Sequence, residues 1–360
     1  MKEALTRENA NGTKGPKLAE LECLRGLAAF YVFLHHYVRR GVPELPILVR
    51  FFSFGQVAVM LFFLVSGFVI HLATRSATGP FQFFPYLLRR IRRIYPPYLI
   101  ALLLTWVCWW VVPINLPFSF KELAGNALML QGESGTSSIK HFLDNYPLWS
   151  LSYEFWFYVL YGLLVSSGLS FEQQRRVTLV VTALATIVDL TIPNQAARFI
   201  SYFPLWWVGV ELAELYEQSK RIRLRSLLPA LSVLALPFLA RALDLLWRSG
   251  LEISVYGARE TTVRRFVTVA LLLSVGLVWQ RFSFRGFWPI LGVFRWLAPI
   301  SYALYVTHAP VLRIAVMSSP IRSGLLNFLW ICPLVLAVAW VIEVPIQNAV
   351  NRAFPLRPRK

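Results

Sequence analysis

The chain has 360 residues, 57% of them hydrophobic and 15% aromatic, and it carries 36 Lys and Arg against 18 Asp and Glu. Its apolar runs repeatedly reach the roughly 20 residues that cross a bilayer, which predicts a polytopic membrane protein and excludes a soluble globular domain. The formal charge of +18 clusters in short segments between apolar runs, so it indicates membrane topology and contact with anionic lipid rather than nucleic-acid binding.

The apolar runs predict ten transmembrane helices in an all-α bundle. In chain order these spans cover residues 21–39, 51–72, 95–112, 148–166, 177–192, 198–216, 226–247, 265–280, 300–317 and 325–344. When connections are assigned alternately to the two sides, most Lys and Arg fall on the side of the N-terminus, and the positive-inside rule places both termini in the cytoplasm. This assignment treats Arg198 and Arg265 as charges of outer connections, and Arg25 and Arg241 as intramembrane.

The sequence predicts one membrane domain with a polar tail at each end. Residues 1–20 predict a disordered cytoplasmic tail without the apolar segment and cleavage site of a signal peptide. Residues 21–346 form the predicted membrane domain, because no connection is long enough for a separate soluble domain, and residues 347–360 form a basic cytoplasmic tail. The three cysteines have no paired spacing, so we expect three buried thiols and predict neither a disulfide nor a metal site.

The first predicted span carries a cation and an imidazole on one helix face. Arg25 and His36 are eleven residues apart, which at about 100° per residue returns to nearly the same face. Glu22 joins this stripe, whereas His35 points about 80° away. A neutral imidazole at His36 can take a proton from an attacking hydroxyl, and the structural alternative is a histidine at the interfacial helix end. For Arg25 the alternative is snorkelling to the cytoplasmic headgroups.

A basic cluster precedes the third span. The string RRIRRIYPPY places Arg90 and Arg93 three residues apart, and the proline pair at 96–97 predicts a helix start just beyond them. Arginine side chains bind phosphate through two parallel hydrogen bonds, so the cluster predicts a site for a phosphorylated ligand such as a nucleotide or a coenzyme. Contact with anionic lipid headgroups is the alternative interpretation.

Three later strings place polar side chains in apolar spans. LWSLSYEFWFY holds Ser150 and Glu154, and an intramembrane carboxyl group must find a partner or a proton. SYALYVTH puts Tyr305 and His308 on one helix face, although a lone histidine of this kind is more often structural than catalytic. Glu343, in VIEVPIQ near the inner end of the last span, is also readily interpreted as a solvated helix end.

Six strings together resemble the acyltransferase 3 family of integral membrane O-acyltransferases. They occur in family order over nearly the whole chain, as LECLRGLAAFYVFLHHY at 21–37, MLFFLVSGFVI at 60–70, RRIRRIYPPY at 89–98, LWSLSYEFWFY at 148–158, SYALYVTHAPV at 301–311 and IEVPIQ at 342–347. The resemblance implies a ten-span bundle in a bacterial cytoplasmic (inner) membrane. Such a protein takes an acyl group, usually acetyl from cytoplasmic acetyl-CoA, and passes it to a hydroxyl of a carbohydrate or glycoconjugate at the outer face. The resemblance implies no permanently bound cofactor, because acetyl-CoA or another acyl-CoA serves as the donor substrate.

By position, the resemblance places the essential histidine of the family on His36 rather than on His35. The R-x-x-R pair that handles the acyl donor falls on Arg90 and Arg93, and the glutamate of W-S-L-S-x-E falls on Glu154. The implied mechanism binds the phosphates of acetyl-CoA at the arginine pair, passes the pantetheine arm along Arg25 and uses His36 as general base. Glu154 is expected to orient the imidazole of His36 or to tune its pKa. An acetyl-imidazole intermediate is the alternative route.

The chain departs from the family pattern at two positions. Glu22 stands where Asp is usual and Trp340 where Tyr is usual, and neither change removes a proposed catalytic group. Some members carry a secreted esterase-like domain, and this chain is expected to act without one or to hand its product to polysaccharide-biosynthesis partners. The acceptor and the length of the acyl chain stay open.

Two other functional classes fit part of the pattern. A transporter or flippase for a lipid-linked or sugar substrate also uses intramembrane Arg, His and Glu, but paired Gly- or Pro-broken helices are not evident in the sequence. A membrane scaffold explains the hydrophobicity and the charge but not ionisable residues in several spans. The order of the six strings favours the acyltransferase.

Overall fold

The computed structural model describes residues 18–42, 45–112, 116–133, 138–192, 194–219, 222–249, 258–321 and 323–355. Within these ranges the regular secondary structure is entirely helical. The α-helices are α1 (Ala19–Gly41), α2 (Pro46–Phe51), α3 (Gly55–Arg75), α4 (Phe83–Val111), α5 (Phe120–Ala127), α6 (Trp149–Ser166), α7 (Phe171–Thr191), α8 (Gln195–Ser219), α9 (Leu228–Ser249), α10 (Ala258–Arg281), α11 (Phe287–Leu291), α12 (Ser301–Ser318), α13 (Gly324–Val341) and α14 (Gln347–Ala353). A 3₁₀ segment, Gly292–Ile300, leads into α12, and a π-helical turn, Ile342–Ile346, follows α13.

The helices confirm the predicted all-α membrane bundle. Each of the ten predicted spans overlaps one long helix of the described ranges. Seven helical segments there are long and apolar enough to cross a membrane, namely Pro46–Arg75, Phe83–Val111, Tyr146–Ser166, Leu224–Arg248, Glu260–Arg281, Phe287–Ser318 and Gly324–Ala353. The long helices α1, α7 and α8 are outside this set and carry many of the polar side chains discussed below. Ten spans and cytoplasmic termini therefore stay predictions.

The predicted start of the third span is wrong. Helix α4 begins at Phe83 and runs through the basic cluster, so Pro96 and Pro97 lie inside the helix. Proline lacks the N–H that would bond the carbonyl four residues back, so Pro96 leaves the carbonyl oxygen of Arg92 free. The side-chain amide of Gln347 donates to that oxygen over 2.9 Å, which fixes α14 against α4.

The two predicted tails are described only in part. Residues 1–17 and 356–360 lie outside the described ranges, and α1 begins at Ala19. The first residues of the predicted C-terminal tail form α14, whose Gln347 is buried. The three thiols include two that are buried, whereas Cys332 is half-buried, because it lies on a face of α13 that is only partly covered.

Close backbone contacts hold the helices that carry the site. A Cβ at Gly67 of α3 would clash with the carbonyl oxygen of Trp206, and one at Gly209 of α8 would clash with that of Leu64. A Cβ at Gly26 of α1 would clash with the carbonyl oxygen of Phe294. Small residues permit such crossings in membrane helices, where packing and hydrogen bonds hold the bundle together. The N-terminal half of α1 is thereby held beside the 3₁₀ segment that leads into α12.

Candidate active site

His36 lines a large cavity at one end of the bundle. The cavity has a volume of about 810 Å³ and lies where α1, α7 and α9 end and where α3, α8 and α10 begin. The positive-inside assignment predicts that this end faces outward. His36 is half-buried and has no hydrogen-bond partner in the described chain, so its ring nitrogens are available to a ligand in the cavity.

Two other histidines surround His36. The ring centroid of His35 lies 4.8 Å from that of His36, and the ring centroid of His308 lies 5.1 Å from it. His35 donates from Nδ1 to the carbonyl oxygen of Phe52 over 2.5 Å, so this proton is already engaged. His308 is therefore not an isolated histidine, because the fold brings it beside His36 although the two are far apart in the sequence.

The hydrogen bonds of His308 fix its tautomer. Its Nδ1 donates to the carbonyl oxygen of Tyr305 over 2.7 Å, because a carbonyl can only accept. The Nε2 of the neutral ring then carries a lone pair, and this atom is buried with no hydrogen-bond partner in the described chain. Next to His36, such an atom is suited to accept a proton or a hydrogen bond.

Ser150 and Tyr305 join at the wall of the cavity. Their side-chain oxygens lie 2.7 Å apart, and the Tyr305 hydroxyl donates to the carbonyl oxygen of Pro147 over 2.8 Å. Because the tyrosine proton is used in that bond, the Ser150 hydroxyl donates to the Tyr305 oxygen. The ring of Tyr305 lies 6.1 Å from that of His308. The hydrogen bonds of Ser150 and Tyr305 thus fix α12, the helix that carries His308.

Arg25 lies at the other end of α1, among residues from distant parts of the chain. It donates from Nη2 to the Ser301 hydroxyl over 3.1 Å, and the carbonyl oxygen of Ala298 lies at 3.4 Å. Arg25 is therefore bonded to the start of α12 rather than extended towards lipid headgroups. Glu22, expected on the same stripe, instead pairs with Arg295 over 3.1 Å at a partly exposed helix end.

Glu343 pairs with Arg93 inside the protein. Arg93 donates from Nη1 to Oε1 of Glu343, and the backbone N–H of Ala303 donates to Oε2 over 3.0 Å. Glu343 is 7% exposed, so its interpretation as a solvated helix end is wrong. The π-helical turn that holds it widens the helix and directs its carboxylate to the start of α12.

The two arginines of the R-x-x-R pair have different surroundings. Arg93 is engaged by Glu343 and lies with its guanidinium carbon 5.6 Å from the ring centroid of Tyr302. Arg90 lies 5.5 Å from the ring centroid of Tyr86, and its Nε is buried with no hydrogen-bond partner in the described residues. The Nε of Arg90 is therefore a donor that no described residue uses.

Glu154 lies at the arginine end rather than at His36. The Tyr158 hydroxyl donates to its Oε1 over 2.5 Å, and the Ser66 hydroxyl lies 3.0 Å from the Tyr158 oxygen. Arg25 and Arg90 lie close enough to interact with it electrostatically. No hydrogen bond joins Glu154 to His36 in the part of the chain that the structure describes, so the expectation that Glu154 orients this imidazole is wrong.

The sequence analysis did not predict the buried ion pairs beside the cavity. Arg198 and Arg241 both bond the carboxylate of Asp189, and Arg265 pairs with Glu133 through both carboxylate oxygens. The prediction of Arg198 and Arg265 as charges of outer connections is wrong, because both are buried and their charges are balanced inside the protein. An aspartate inside a predicted span was the available signal.

A histidine outside the spanning segments is neutral at physiological pH. His141, in the connection between α5 and α6, lies with its ring centroid 5.1 Å from that of Tyr146. Burial lowers the pKa of His141 to about 4. A neutral imidazole here has no part in the charge of the neighbouring cavity.

Comparisons with known proteins give two matches. A family model described as an acyltransferase domain matches residues 18–344. An O-acetyl transferase of Shigella phage Sf6 is 30% identical over 191 residues, which cover 51% of this chain and 55% of the relative. The chain thus spans about half the length of this curated relative. No solved structure matches the chain.

Proposed function

Because the chain belongs to the acyltransferase 3 family, as the match over residues 18–344 shows, we propose that it moves an acetyl group from cytoplasmic acetyl-CoA to a hydroxyl of a carbohydrate or glycoconjugate. The bacterial cytoplasmic membrane is the proposed location. The observation that carries the proposal is His36, an imidazole without a hydrogen-bond partner in the described chain at the wall of an 810 Å³ cavity. A cavity of this size is typical of small-ligand sites.

The donor is proposed to enter from the arginine end. Arg90 offers a free buried N–H to a phosphate of acetyl-CoA, and Arg93 adds a second cation that Glu343 positions. Arg25 lies eleven residues before His36 on α1, which is roughly 16 Å along the helix axis. A pantetheine arm that follows this path carries the thioester from the arginine cluster towards the imidazole.

The transfer step balances with His36 as general base. His36 takes the proton of the acceptor hydroxyl while that oxygen forms a bond to the thioester carbonyl carbon. The carbon–sulfur bond breaks, and the departing thiolate of CoA takes the proton back from the imidazolium. The products are an acetyl ester and the free thiol. Nε2 of His308, which holds a lone pair, accepts an N–H of the imidazolium and stabilises it.

Acetyl-CoA turnover by the purified protein in detergent tests this function. We expect release of free thiol to depend on both an added sugar acceptor and His36, and the acetylated sugar to appear at the same rate. A panel of acceptors identifies the responsive class. If radiolabelled acetyl-CoA neither binds nor turns over with any acceptor, the proposal is wrong and a transporter of sugar or lipid-linked substrates takes its place.

A variant of His308 tests the positioning role of this residue. We expect His308→Ala to lower kcat by roughly ten- to a hundredfold, since a hydrogen bond to a charged group contributes about 1.5–3 kcal/mol. KM for acetyl-CoA should stay within about twofold, because the donor contacts lie at the other end of α1. His308→Gln, which keeps an acceptor atom, should recover part of the rate. An equal loss in both variants together with a raised KM would point to a purely structural role.

A further inference from the structure

The wall of the cavity that His36 lines contains more buried arginine than carboxylate side chains among the described residues. Asp189 accepts from Arg198 at 2.9 Å and from Arg241 at 2.8 Å, so a single carboxylate serves two guanidinium groups. Arg265 is fully buried and pairs with Glu133. Of the arginines that line the cavity, Arg198 and Arg241 therefore share the one carboxylate of Asp189.

The remaining charges at the cavity do not compensate this excess. Asp244 is balanced by Arg248, whose Nε lies 2.6 Å from it. Arg39 and Arg264 also line the cavity, and both are exposed cations with no carboxylate partner in the described residues. Among the described residues, cations therefore outnumber carboxylates both at the buried wall of the cavity and at its mouth.

Arg241 has an unused hydrogen-bond donor at this wall. The residue is 6% exposed, and its Nε is buried with no partner among the described residues. Its Nη2 donates to Asp189 and to the Ser201 hydroxyl, and its guanidinium carbon lies 5.0 Å from the ring centroid of Tyr202. A buried N–H donor without an acceptor is costly, and because Arg241 is cationic and shares its carboxylate with Arg198, an anionic acceptor is the one that fits this donor best.

We infer that the acceptor carries an anionic group, a carboxylate or a phosphate, that binds beside Arg241 while its hydroxyl approaches His36. This inference rests on the proposed function and assigns the acceptor class. A uronic or sialic acid supplies a carboxylate within the glycan, and a lipid-linked sugar supplies a phosphate next to the sugar. Arginine forks fit both groups. If the cluster serves only to join α7, α8 and α9, the charge of the acceptor should not affect binding.

Binding of matched acceptors in the absence of donor tests the inference. The soluble pairs are oligogalacturonate against its carboxyl-reduced form and sialyllactose against lactose, and the lipid pair is undecaprenyl diphosphate glucose against undecaprenyl glucoside. We expect at least one anionic member to bind the purified protein about tenfold or more tightly than its neutral partner. The pair that shows the preference identifies the source of the anion. If no anionic member binds more tightly than its partner, the inference is overturned.

Arg241→Gln tests the assigned residue. This variant keeps the pair between Arg198 and Asp189, so one carboxylate still balances one cation and the fold should persist. We expect the preference for the anionic partner to fall to within about threefold in Arg241→Gln, because one charged hydrogen bond is lost. Arg176→Gln, a matched change at an exposed residue of α7 away from the cavity, should retain the preference. An undiminished preference in folded Arg241→Gln overturns the assignment.

Acetyl-CoA turnover is measured separately on the same samples. Anion preference without any turnover would reject the proposed transferase but leave the anion site in place. Turnover with equal affinity for charged and neutral acceptors would support the transferase and reject the anionic acceptor.

Discussion

Replacement of His36 by alanine is expected to lower acyl transfer by about 10²–10⁴-fold, the usual contribution of a general base. The side chain makes no hydrogen bond in the described chain, so its removal leaves no buried donor or acceptor unpaired and the fold should persist. Thiol release from acetyl-CoA with a saturating acceptor measures the effect. Affinity for acetyl-CoA should change little, because the proposed phosphate contacts lie at the arginine end of α1.

His35 provides a matched control on the same helix. Its Nδ1 bonds the Phe52 carbonyl, and it lines the same cavity, so His35→Ala removes an equal side chain without the proposed base. We expect this variant to lose less than about tenfold in kcat, the equivalent of roughly 1.4 kcal/mol. A normal rate in His36→Ala, or the same loss in both variants, contradicts the assignment.

A labelling measurement separates the two chemical routes through His36. General-base catalysis predicts that protein incubated with radiolabelled acetyl-CoA alone carries no label after denaturation, since the acetyl group moves directly to the acceptor. An acetyl-imidazole intermediate predicts label that disappears when acceptor is added. Label retained by wild type and absent from His36→Ala would replace the base mechanism with the covalent one.

The sequence predicted helices well because apolar runs of bilayer length have few alternative structures. Helix α13 begins and ends within a few residues of its predicted span. The start of α4 was missed because a proline pair is typical of a helix start. At Pro96 the cost of an interior proline is reduced by Gln347, whose amide bonds the freed carbonyl of Arg92. That partner is 255 residues away in the chain, beyond the reach of local rules.

The candidate site was predictable along one helix but not between helices. The spacing of Arg25 and His36 fixed their common face, because helical geometry is local. The pairing of His36 with His308 depends on how α1 packs against α12, which no spacing reveals. The assignment of Glu154 to His36 failed for the same reason. An intramembrane carboxyl group requires a partner, but the local sequence does not show which residue of another helix provides it.

The ion pair of Arg93 and Glu343 is expected to have a large effect on stability. Glu343→Ala or Arg93→Ala should each lower the free energy of unfolding, by up to about 3–5 kcal/mol where the remaining charge is buried. Arg93→Ala should have the greater effect, because the carboxylate that it leaves unpaired, Glu343, has a side chain only 4% exposed. In Glu343→Ala the remaining charge is on Arg93, whose side chain is 39% exposed. Unfolding in detergent by heat or SDS measures both. Arg92→Ala, which removes a neighbouring arginine bonded to the Phe354 carbonyl, should cost much less.

The double variant separates the structural role of this pair from donor binding. Removal of both charges leaves neither one unpaired, so Arg93→Ala with Glu343→Ala should be more stable than the sum of the single effects predicts, by about 0.5–3 kcal/mol. If Arg93 also binds a phosphate of acetyl-CoA, KM for the donor should stay raised in the double variant although stability recovers. Recovery of both stability and KM would show that Arg93 acts only through Glu343. Arg90, whose buried Nε has no partner in the described chain, would then be the residue that binds the phosphate.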